Sequence, residues 1–201
     1  MDTRLKKFKG GWTMKSIKYL ATALFHNGGL FLFIVIFMFA GCATAKQEFD
    51  PNVTGPQMIV EPETIRLGVA KLKGTEIVFS GKGFEPGDSV FVQLLGVEKK
   101  GERVDIPIAD GNVDQKGCFT AKVGIITKVT DLLSAKIGMN DKMENIIIIT
   151  QPPIPEGVYT ARAVSMKSDR KAECKLVVKG PSLMDKTMDW IGGLMGKIEK
   201  K

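Results

Sequence analysis

Three patterns of apolar and polar residues follow one another along this 201-residue chain. The segment Leu30–Ala40 is apolar throughout. From Met58 to about Lys179, short alternations of apolar and polar residues are separated by Gly, Pro and Asp at spacings near ten residues. After Pro181, apolar residues recur at intervals of four and three. These patterns predict a hydrophobic targeting segment, an antiparallel β-sheet protein and an amphipathic helix, in that order.

The middle pattern predicts eight strands and one short helix. In the clearest strand, Phe119, Ala121 and Val123 alternate with polar residues and are expected to face the core. Pro62 interrupts the first strand, which therefore suits a sheet edge. The predicted strands are Ile59–Leu67, Thr75–Ser80, Ser89–Leu95, Val104–Ile108, Cys118–Val123, Ile146–Thr150, Val158–Ser165 and Ala172–Val178.

The segment from Thr127 to Ile137 interrupts the alternation. Its apolar residues are spaced for one face of a helix, and Gly138 is a natural stop. The sequence therefore predicts a helix that closes one end of the sheets. The apolar residues on its face are Val129, Leu132, Leu133 and Ile137.

The apolar run Leu30–Ala40 is shorter than the roughly 20 residues that a spanning helix needs. It ends in Phe39-Ala40-Gly41-Cys42, which resembles the lipobox of bacterial lipoproteins. The resemblance implies that a signal peptidase removes residues 1–41 and that the Cys42 thiol carries a lipid. Lys and Arg precede the run, as in an export signal. An uncleaved anchor over Tyr19–Ala40, or a buried strand or helix that ends in Cys, remains open.

Two further boundaries follow from the same region. Met14 opens a more ordinary signal peptide, so residues 1–13 are interpreted as an extension of the gene model. Residues 42–57 combine the lipidated cysteine with an aperiodic segment that contains two prolines, which is typical of a linker.

Removal of the leader changes the charge of the protein. The chain has a net charge of +7, but residues 1–41 hold six of its 29 basic groups and only one of its 22 acidic groups. The mature part therefore has a net charge of about +2, which gives no support to a nucleic-acid partner. It also lacks histidine, because His26 is the only one, and this excludes Ser-His-Asp or Cys-His catalysis in the mature chain.

Residues 58–180 resemble the immunoglobulin-like domains of bacterial proteins in three motifs. The first places Gly81 and Phe84 before the turn Pro86-Gly87. The second is DQKGCFTAKV, and the third is IPEGVYTARAV, followed by AECKLVVKG as a final strand. The resemblance implies a mainly β, antiparallel immunoglobulin-like sandwich. In addition, Pro86-Gly87 suits a type II turn, and Tyr159 is placed for a corner hydrogen bond to the backbone.

Two candidate sites in this domain have simpler structural explanations. Export would allow a disulfide between Cys118 and Cys174, but strand alternation places the two side chains on opposite faces of their strands. Asp110, Asn112 and Asp114 begin like a calcium loop, yet the position for the final Glu ligand is Ala121. A buried free Cys174 and a polar turn are therefore expected, with no metal site and no cofactor.

The tail, residues 181–201, predicts an amphipathic helix. Ser182 and Asp185 make an N-terminal capping pair. The apolar residues that follow form a stripe that either lies on a membrane with Trp190 at the interface or packs against the protein's own domain or a partner helix. The expected partner or membrane contacts are Met184, Met188, Trp190, Ile191 and Met195, and Ile198 continues the stripe.

Together, these patterns predict a lipid-anchored protein of the bacterial cell envelope. If the cell has an outer membrane, Ala43 after the cysteine favours that membrane, on its periplasmic or surface side. The expected function is non-catalytic, a binding or structural module that engages another envelope protein or a glycan. Two alternatives remain, a hydrolase of the envelope that uses carboxylates and a membrane-active protein that acts through its C-terminal helix.

Overall fold

Eleven strands and short helical segments make up residues 47–200, the part of the chain that the computed structural model describes. The predicted signal peptide and Cys42 lie outside the described residues. The strands are β1 Gln57–Glu61, β2 Thr64–Arg66, β3 Val78–Lys82, β4 Ser89–Lys99, β5 Glu102–Asn112, β6 Phe119–Lys122, β7 Ala135–Met139, β8 Asn145–Ile149, β9 Gly157–Ser165, β10 Lys171–Lys179 and β11 Ile198–Lys200. The helices are α1 Val69–Gly74, α2 Ile125–Thr127, which continues as a π-helical turn Lys128–Leu132, and α3 Leu183–Leu194. The prediction of a mainly β fold is confirmed.

The strands form three sheets. The first sheet has the order β1-β3-β6, the second β2-β10-β9-β4-β5 and the third β11-β8-β7. Neighbouring strands are antiparallel except for the pairs β2–β10 and β8–β11, which are parallel. The sheets are therefore antiparallel in the main, with one parallel pair at an edge of the second sheet and one at an edge of the third.

The alternation in the sequence decides which side chains of the first two sheets are buried. Phe119 and Ala121 in β6 are buried, and so are Val90, Val92 and Leu94 in β4. Buried side chains from both sheets belong to one hydrophobic core, and the third sheet adds Ala135 and Ile147 to it. Apolar burial on this scale is the main favourable contribution to folding.

The Gly-Phe motifs that carry the immunoglobulin resemblance meet in this core. The rings of Phe84 and Phe119 contact each other edge to face, with centroids 5.0 Å apart. A Cβ atom on Gly81 would lie 2.1 Å from the Phe119 ring, so only glycine lets the ring pack on β3. The Gly87 φ of +77° agrees with the predicted turn, and the Tyr159 hydroxyl donates to the Pro155 carbonyl at 2.7 Å.

The first predicted strand is two strands in the structure. Pro62 lies between β1 and β2, and these strands belong to different sheets. β1 pairs with β3, whereas β2 pairs with β10. The proline therefore marks the point at which the chain moves from one sheet to the next, because proline cannot donate a ladder hydrogen bond.

The predicted helix at 127–137 is wrong in its second half. Val129, Leu132 and Leu133 are buried as expected, but the helical turn ends at Leu132 and Ile137 is half exposed on β7. Ser134 has a φ of +51°, which ends the helix before Gly138. The β-branched run of β8 pairs with β7, so the second half of this segment is a strand of the third sheet.

The tail is also shorter as a helix than the sequence predicts. α3 ends at Leu194, Met195 is its C-terminal cap, and Gly196 has a φ of +67°. Ile198 therefore leaves the helical stripe and pairs with Ile147 as part of β11. In the described part of the chain, no helix is both long and apolar enough to cross a membrane.

Candidate functional site: the outer face of helix α3

Helix α3 begins with the capping pair that the sequence predicts. The Ser182 hydroxyl accepts from the Asp185 backbone N–H at 3.2 Å, and the Asp185 carboxylate accepts from the Ser182 N–H at 2.8 Å. Hydrogen bonds from Ser182 are the main reason that the pKa of the Asp185 carboxyl lies below its usual range, and the charges of Arg66 and Lys71 act in the same direction. Asp185 is thus an ionised group that fixes the start of the helix.

The polar side of α3 rests on the domain. Both carboxylate oxygens of Asp189 accept backbone N–H groups at the start of α1, from Val69 at 2.9 Å and Ala70 at 2.9 Å. Asp185 is buried against Gly68, where an added Cβ atom would lie 2.6 Å from the Asp185 Cβ atom. A carboxylate at the N-terminus of a helix also interacts favourably with the helix dipole. The domain therefore holds α3 through Asp185 and Asp189.

The apolar residues of α3 point away from this contact. Residues four and seven apart share a helix face, so Asp185, Asp189 and Gly192 form one side. The remaining large apolar side chains lie around the other side and are exposed, from 38% for Ile191 to 84% for Leu183. We call this set the apolar face of α3. It consists of Leu183, Met184, Met188, Trp190, Ile191, Leu194 and Met195.

This arrangement reverses the usual orientation of an amphipathic helix. In a surface helix of a globular protein the apolar stripe normally faces the core. Here the polar side contacts the domain and the apolar face meets solvent. Contiguous exposed apolar patches of this kind mark sites of interaction with proteins or membranes.

Basic side chains line cavities on both flanks of α3. On one flank, Arg66 and Lys71 line a cavity of about 540 Å³ together with Met184 and Met188. On the other flank, the ammonium-bearing side chains of Lys186 and Lys200 line two adjoining cavities, of about 630 Å³ and 260 Å³. The apolar face therefore lies between two strips of positive charge.

All five contact residues that the sequence predicts in the tail are exposed in the structure. Met184, Met188, Ile191 and Met195 follow one stripe at spacings of four, three and four, whereas Trp190 lies on the far edge of the apolar face. Sequence reasoning missed Leu183 and Leu194, which lie three turns apart and extend the face. It also missed the role of Asp189, whose only sequence signal is its spacing of four from Asp185.

The two cysteines of the domain are free thiols. Cys118 precedes β6, and Cys174 packs against the core from β10. Burial, with a smaller contribution from the charge of Glu63, raises the pKa of the Cys174 thiol to about 12. The thiol is thus protonated at neutral pH and is a poor nucleophile.

The polar turn that the sequence predicts at Asp110–Asp114 begins only at Asp114, because Asp110 and Asn112 lie at the end of β5. The Asp114 carboxylate accepts the backbone N–H groups of Lys116 at 2.8 Å and Cys118 at 2.9 Å, and Asn112 accepts from the Ser89 hydroxyl at 3.1 Å. Within residues 47–200, no cluster of three or more His, Cys, Asp or Glu side chains is arranged to hold a metal ion.

A buried polar cluster around Asp88 was not predicted. Asp88 is only 2% exposed, and its carboxylate accepts the Ser165 and Ser168 hydroxyls and the backbone N–H groups of Ser89 and Lys167. These hydrogen bonds join the start of β4 to the connection between β9 and β10. They hold the pKa of the Asp88 carboxyl at about 2, with the Ser165 hydroxyl as the main cause.

Comparisons with known proteins gave only weak structural similarities. No known protein family matches the chain. No curated protein sequence matches it either. Macromomycin is similar over 62% of this chain and 99% of its own, with 16% identity and a TM-score of 0.32. A β-glucosidase from Listeria innocua in complex with isofagomine is similar over 62% of this chain, with 14% identity and a TM-score of 0.34.

The alkylpurine DNA glycosylase AlkC of Pseudomonas fluorescens, bound to DNA containing an abasic site analog, is similar over 63% of this chain, with 10% identity and a TM-score of 0.31. This chain spans only 16% of the β-glucosidase and 31% of the DNA glycosylase. At these TM-scores the similarities indicate neither a fold family nor a function for this chain.

Proposed function

We propose that this chain is a lipid-anchored protein of the bacterial cell envelope and that its folded part is a non-catalytic binding module. The observation that carries the binding function is the apolar face of α3, which is exposed while the opposite side of the helix is fixed to the domain. The partner is another envelope protein whose apolar surface covers this face. Met-rich surfaces such as this one adapt well to a protein partner.

An immunoglobulin-like sandwich is the architecture that we propose for this module. Strands β1, β3 and β6 correspond to strands A, B and E of such a domain, and β4, β9 and β10 correspond to C, F and G in the opposite sheet. The Tyr159 hydrogen bond to Pro155 fits the corner at the start of strand F. The third sheet, with β7 and β8, is an insertion between strands E and F.

The cavities give less support to the hydrolase alternative. Each of the four described cavities is lined by a single carboxylate, Glu98, Asp185 or Asp189. Glycoside hydrolysis commonly uses two carboxylates that face each other. Asp189 is further occupied by its hydrogen bonds to α1.

A membrane surface is the second candidate for the partner. Trp190 is 64% exposed on the apolar face, and Arg66 and Lys71 on one flank and Lys186 and Lys200 on the other would lie close to anionic headgroups. Tryptophan and lysine are typical of helices that lie in the membrane interface.

Lipid attachment is tested by labelling cells with a fatty acid. Cys42→Ser should abolish the label and leave an uncleaved precursor, because no other thiol lies in a lipobox. Cys118→Ser is the matched control and should keep the label. A label that survives Cys42→Ser would contradict the lipoprotein assignment.

The partner is tested by photo-crosslinking of the lipidated protein in its own envelope. A crosslinking residue at position 188, on the apolar face, should give one discrete protein adduct, identified by mass spectrometry as an exported protein. The same residue at Lys175, which is exposed on β10, should not give it. The purified partner should then bind the wild type and lose binding to Ile191→Asp. Adducts to lipid alone from position 188 would favour the membrane candidate and contradict a protein partner.

A further inference from the structure

A groove runs along the flank of α3 that carries Lys186 and Lys200. The larger cavity, of about 630 Å³, adjoins a second cavity of about 260 Å³, and both are lined by Lys186, Asp189 and Lys200. The larger cavity falls within the usual size range of small-molecule sites. No residue of the apolar face of α3 lines the larger cavity, to which α3 contributes Lys186 and Asp189. The smaller cavity borders the apolar face through Trp190 and Leu194.

Most of the lining of the larger cavity is apolar, and Thr150 and Gln151 are its uncharged polar members. Its floor is formed by Leu67, Val69 and Leu133, which are core residues that reach the surface here. Pro152 and Pro153 form a wall, and proline has no N–H group to offer a polar ligand. Such a surface accommodates a hydrocarbon chain better than a sugar or a nucleotide, which needs several hydrogen-bond donors.

Positive charge is concentrated where the two cavities meet. Within the described part of the chain, the ammonium groups of Lys186 and Lys200 take part in no ion pair. The nearby Asp189 does not neutralise this charge fully, because both of its oxygens already accept the N–H groups that begin α1. The junction is therefore complementary to a single anionic headgroup.

From this combination we infer that the groove binds a single-chain anionic amphiphile of the fatty-acid class. The hydrocarbon chain lies on the apolar floor between Leu133 and Pro152, and the carboxylate lies between Lys186 and Lys200. This binding site does not depend on lipid attachment at Cys42, and only its smaller cavity borders the apolar face of α3.

Isothermal titration calorimetry with dodecanoate below its micelle concentration tests the inference. The protein is the chain from Cys42 onward with Cys42→Ser, since the hydrophobic core that the structure describes lies between Met58 and Val178. We expect saturable binding of dodecanoate with one site. Dodecanol, which has the same chain without the charge, and acetate, which has the charge without the chain, should each bind at least about tenfold more weakly.

Variants assign the binding to this groove. The double variant Lys186→Gln/Lys200→Gln should weaken dodecanoate binding at least about tenfold, because it removes both cations at the junction. Lys142→Gln/Lys175→Gln removes the same charge from exposed positions outside the groove and should bind like the wild type. Thr150→Trp, which fills the larger cavity from its exposed edge, should block binding and keep the melting temperature of the wild type.

Three results would overturn the inference. Equal affinity for dodecanol would show that the lysines hold no headgroup. Equal loss in the two double lysine variants would show a general charge effect. Loss of dodecanoate binding in Met188→Asp would place the amphiphile on the apolar face of α3 instead.

Discussion

Two aspartates, the buried Asp88 and the half-buried Asp189, set much of the geometry of this protein. Asp88 joins two distant parts of the second sheet by accepting hydrogen bonds from four residues, and Asp189 joins α3 to α1. Among the residues that the structure describes, every buried side-chain nitrogen and oxygen has a hydrogen-bond partner. Leaving a buried polar group without a hydrogen-bond partner costs free energy. Replacing Asp88 or Asp189 should therefore destabilise the segments whose N–H and O–H groups donate to it.

The Asp88 cluster predicts a dependence of stability on acid pH. The pKa of this carboxyl is lowered from 3.8 to about 2 in the folded protein, so its ionised form stabilises the fold. This contribution is fully present above about pH 4 and is lost as the pH falls towards 2. In urea unfolding, Asp88→Asn should be less stable than the wild type at pH 7, and the difference should shrink between pH 4 and 2.

The exposed Asp141→Asn is the matched control for this measurement and should follow the wild type at each pH. A constant difference between Asp88→Asn and the wild type over the whole range would show that the charge of Asp88 contributes nothing. In that case the variant would act through its altered hydrogen-bond geometry.

At the scale of elements, the fit between α1 and α3 depends on a glycine. Gly68 precedes α1 in an extended conformation that any residue adopts, yet an added Cβ atom would lie 2.6 Å from the Cβ of Asp185. The substitution Gly68→Ala therefore tests the close approach of the two helices without straining the backbone. It acts on the contact that turns the apolar face of α3 outward.

We expect Gly68→Ala to loosen α3. Backbone amides of Leu183–Leu194 should exchange with solvent faster than in the wild type, while those of β4 and β9 should keep their protection. Gly74→Ala is the control, because a Cβ atom there meets nothing within 4 Å. Unchanged exchange in α3 of Gly68→Ala would contradict the tight packing between Gly68 and Asp185.

The sequence prediction was wrong where the spacing of apolar residues fits both a helix and a strand. Val129 and Leu132 fit a helix and are buried on one, but Ile137 fits the same helix by spacing and lies on β7. Short apolar runs do not separate helix from strand by periodicity alone. Antiparallel pairing with the β-branched strand β8, which follows β7 after a short connection, decides the conformation of this segment. The spacing of apolar residues within the segment does not reveal that pairing.

At the scale of the whole molecule, the tail belongs to the same compact unit as the sheets. It contributes Asp189 to the start of α1 and β11 to the edge of the third sheet. The five-stranded sheet and the first sheet are complete without it. Gly180-Pro181 is thus a boundary in the chain but not the end of the folded unit.

This organisation predicts the effect of removing residues 182–201 from the unlipidated protein. The truncated chain should keep a β-type circular dichroism spectrum and cooperative unfolding, because the main core is retained. Its urea midpoint should fall, since α1 loses its cap and β8 loses a partner. Truncation of only residues 197–201 should give a smaller fall, and loss of cooperative unfolding in the longer truncation would contradict an independent core.

The local pattern of apolar and polar residues is enough to predict which residues share a face. A period of two placed Val90, Val92 and Leu94 on the buried side of β4, and intervals of three and four placed Met184, Met188 and Ile191 together on α3. These periods are properties of the local backbone, so they are visible without any tertiary information. The same holds for the capping pair Ser182 and Asp185 and for the hydrogen bond of Tyr159.

The tertiary structure decided what each face meets. The stripe of α3 is the same in sequence whether it packs on the domain or points outward, because periodicity does not say which side of a helix faces the protein. The N–H groups at the start of α1 bind Asp189 and thereby turn the apolar face to the exterior. Likewise, only pairing between segments far apart in the chain separates β1 from β2 and adds β11 to the third sheet.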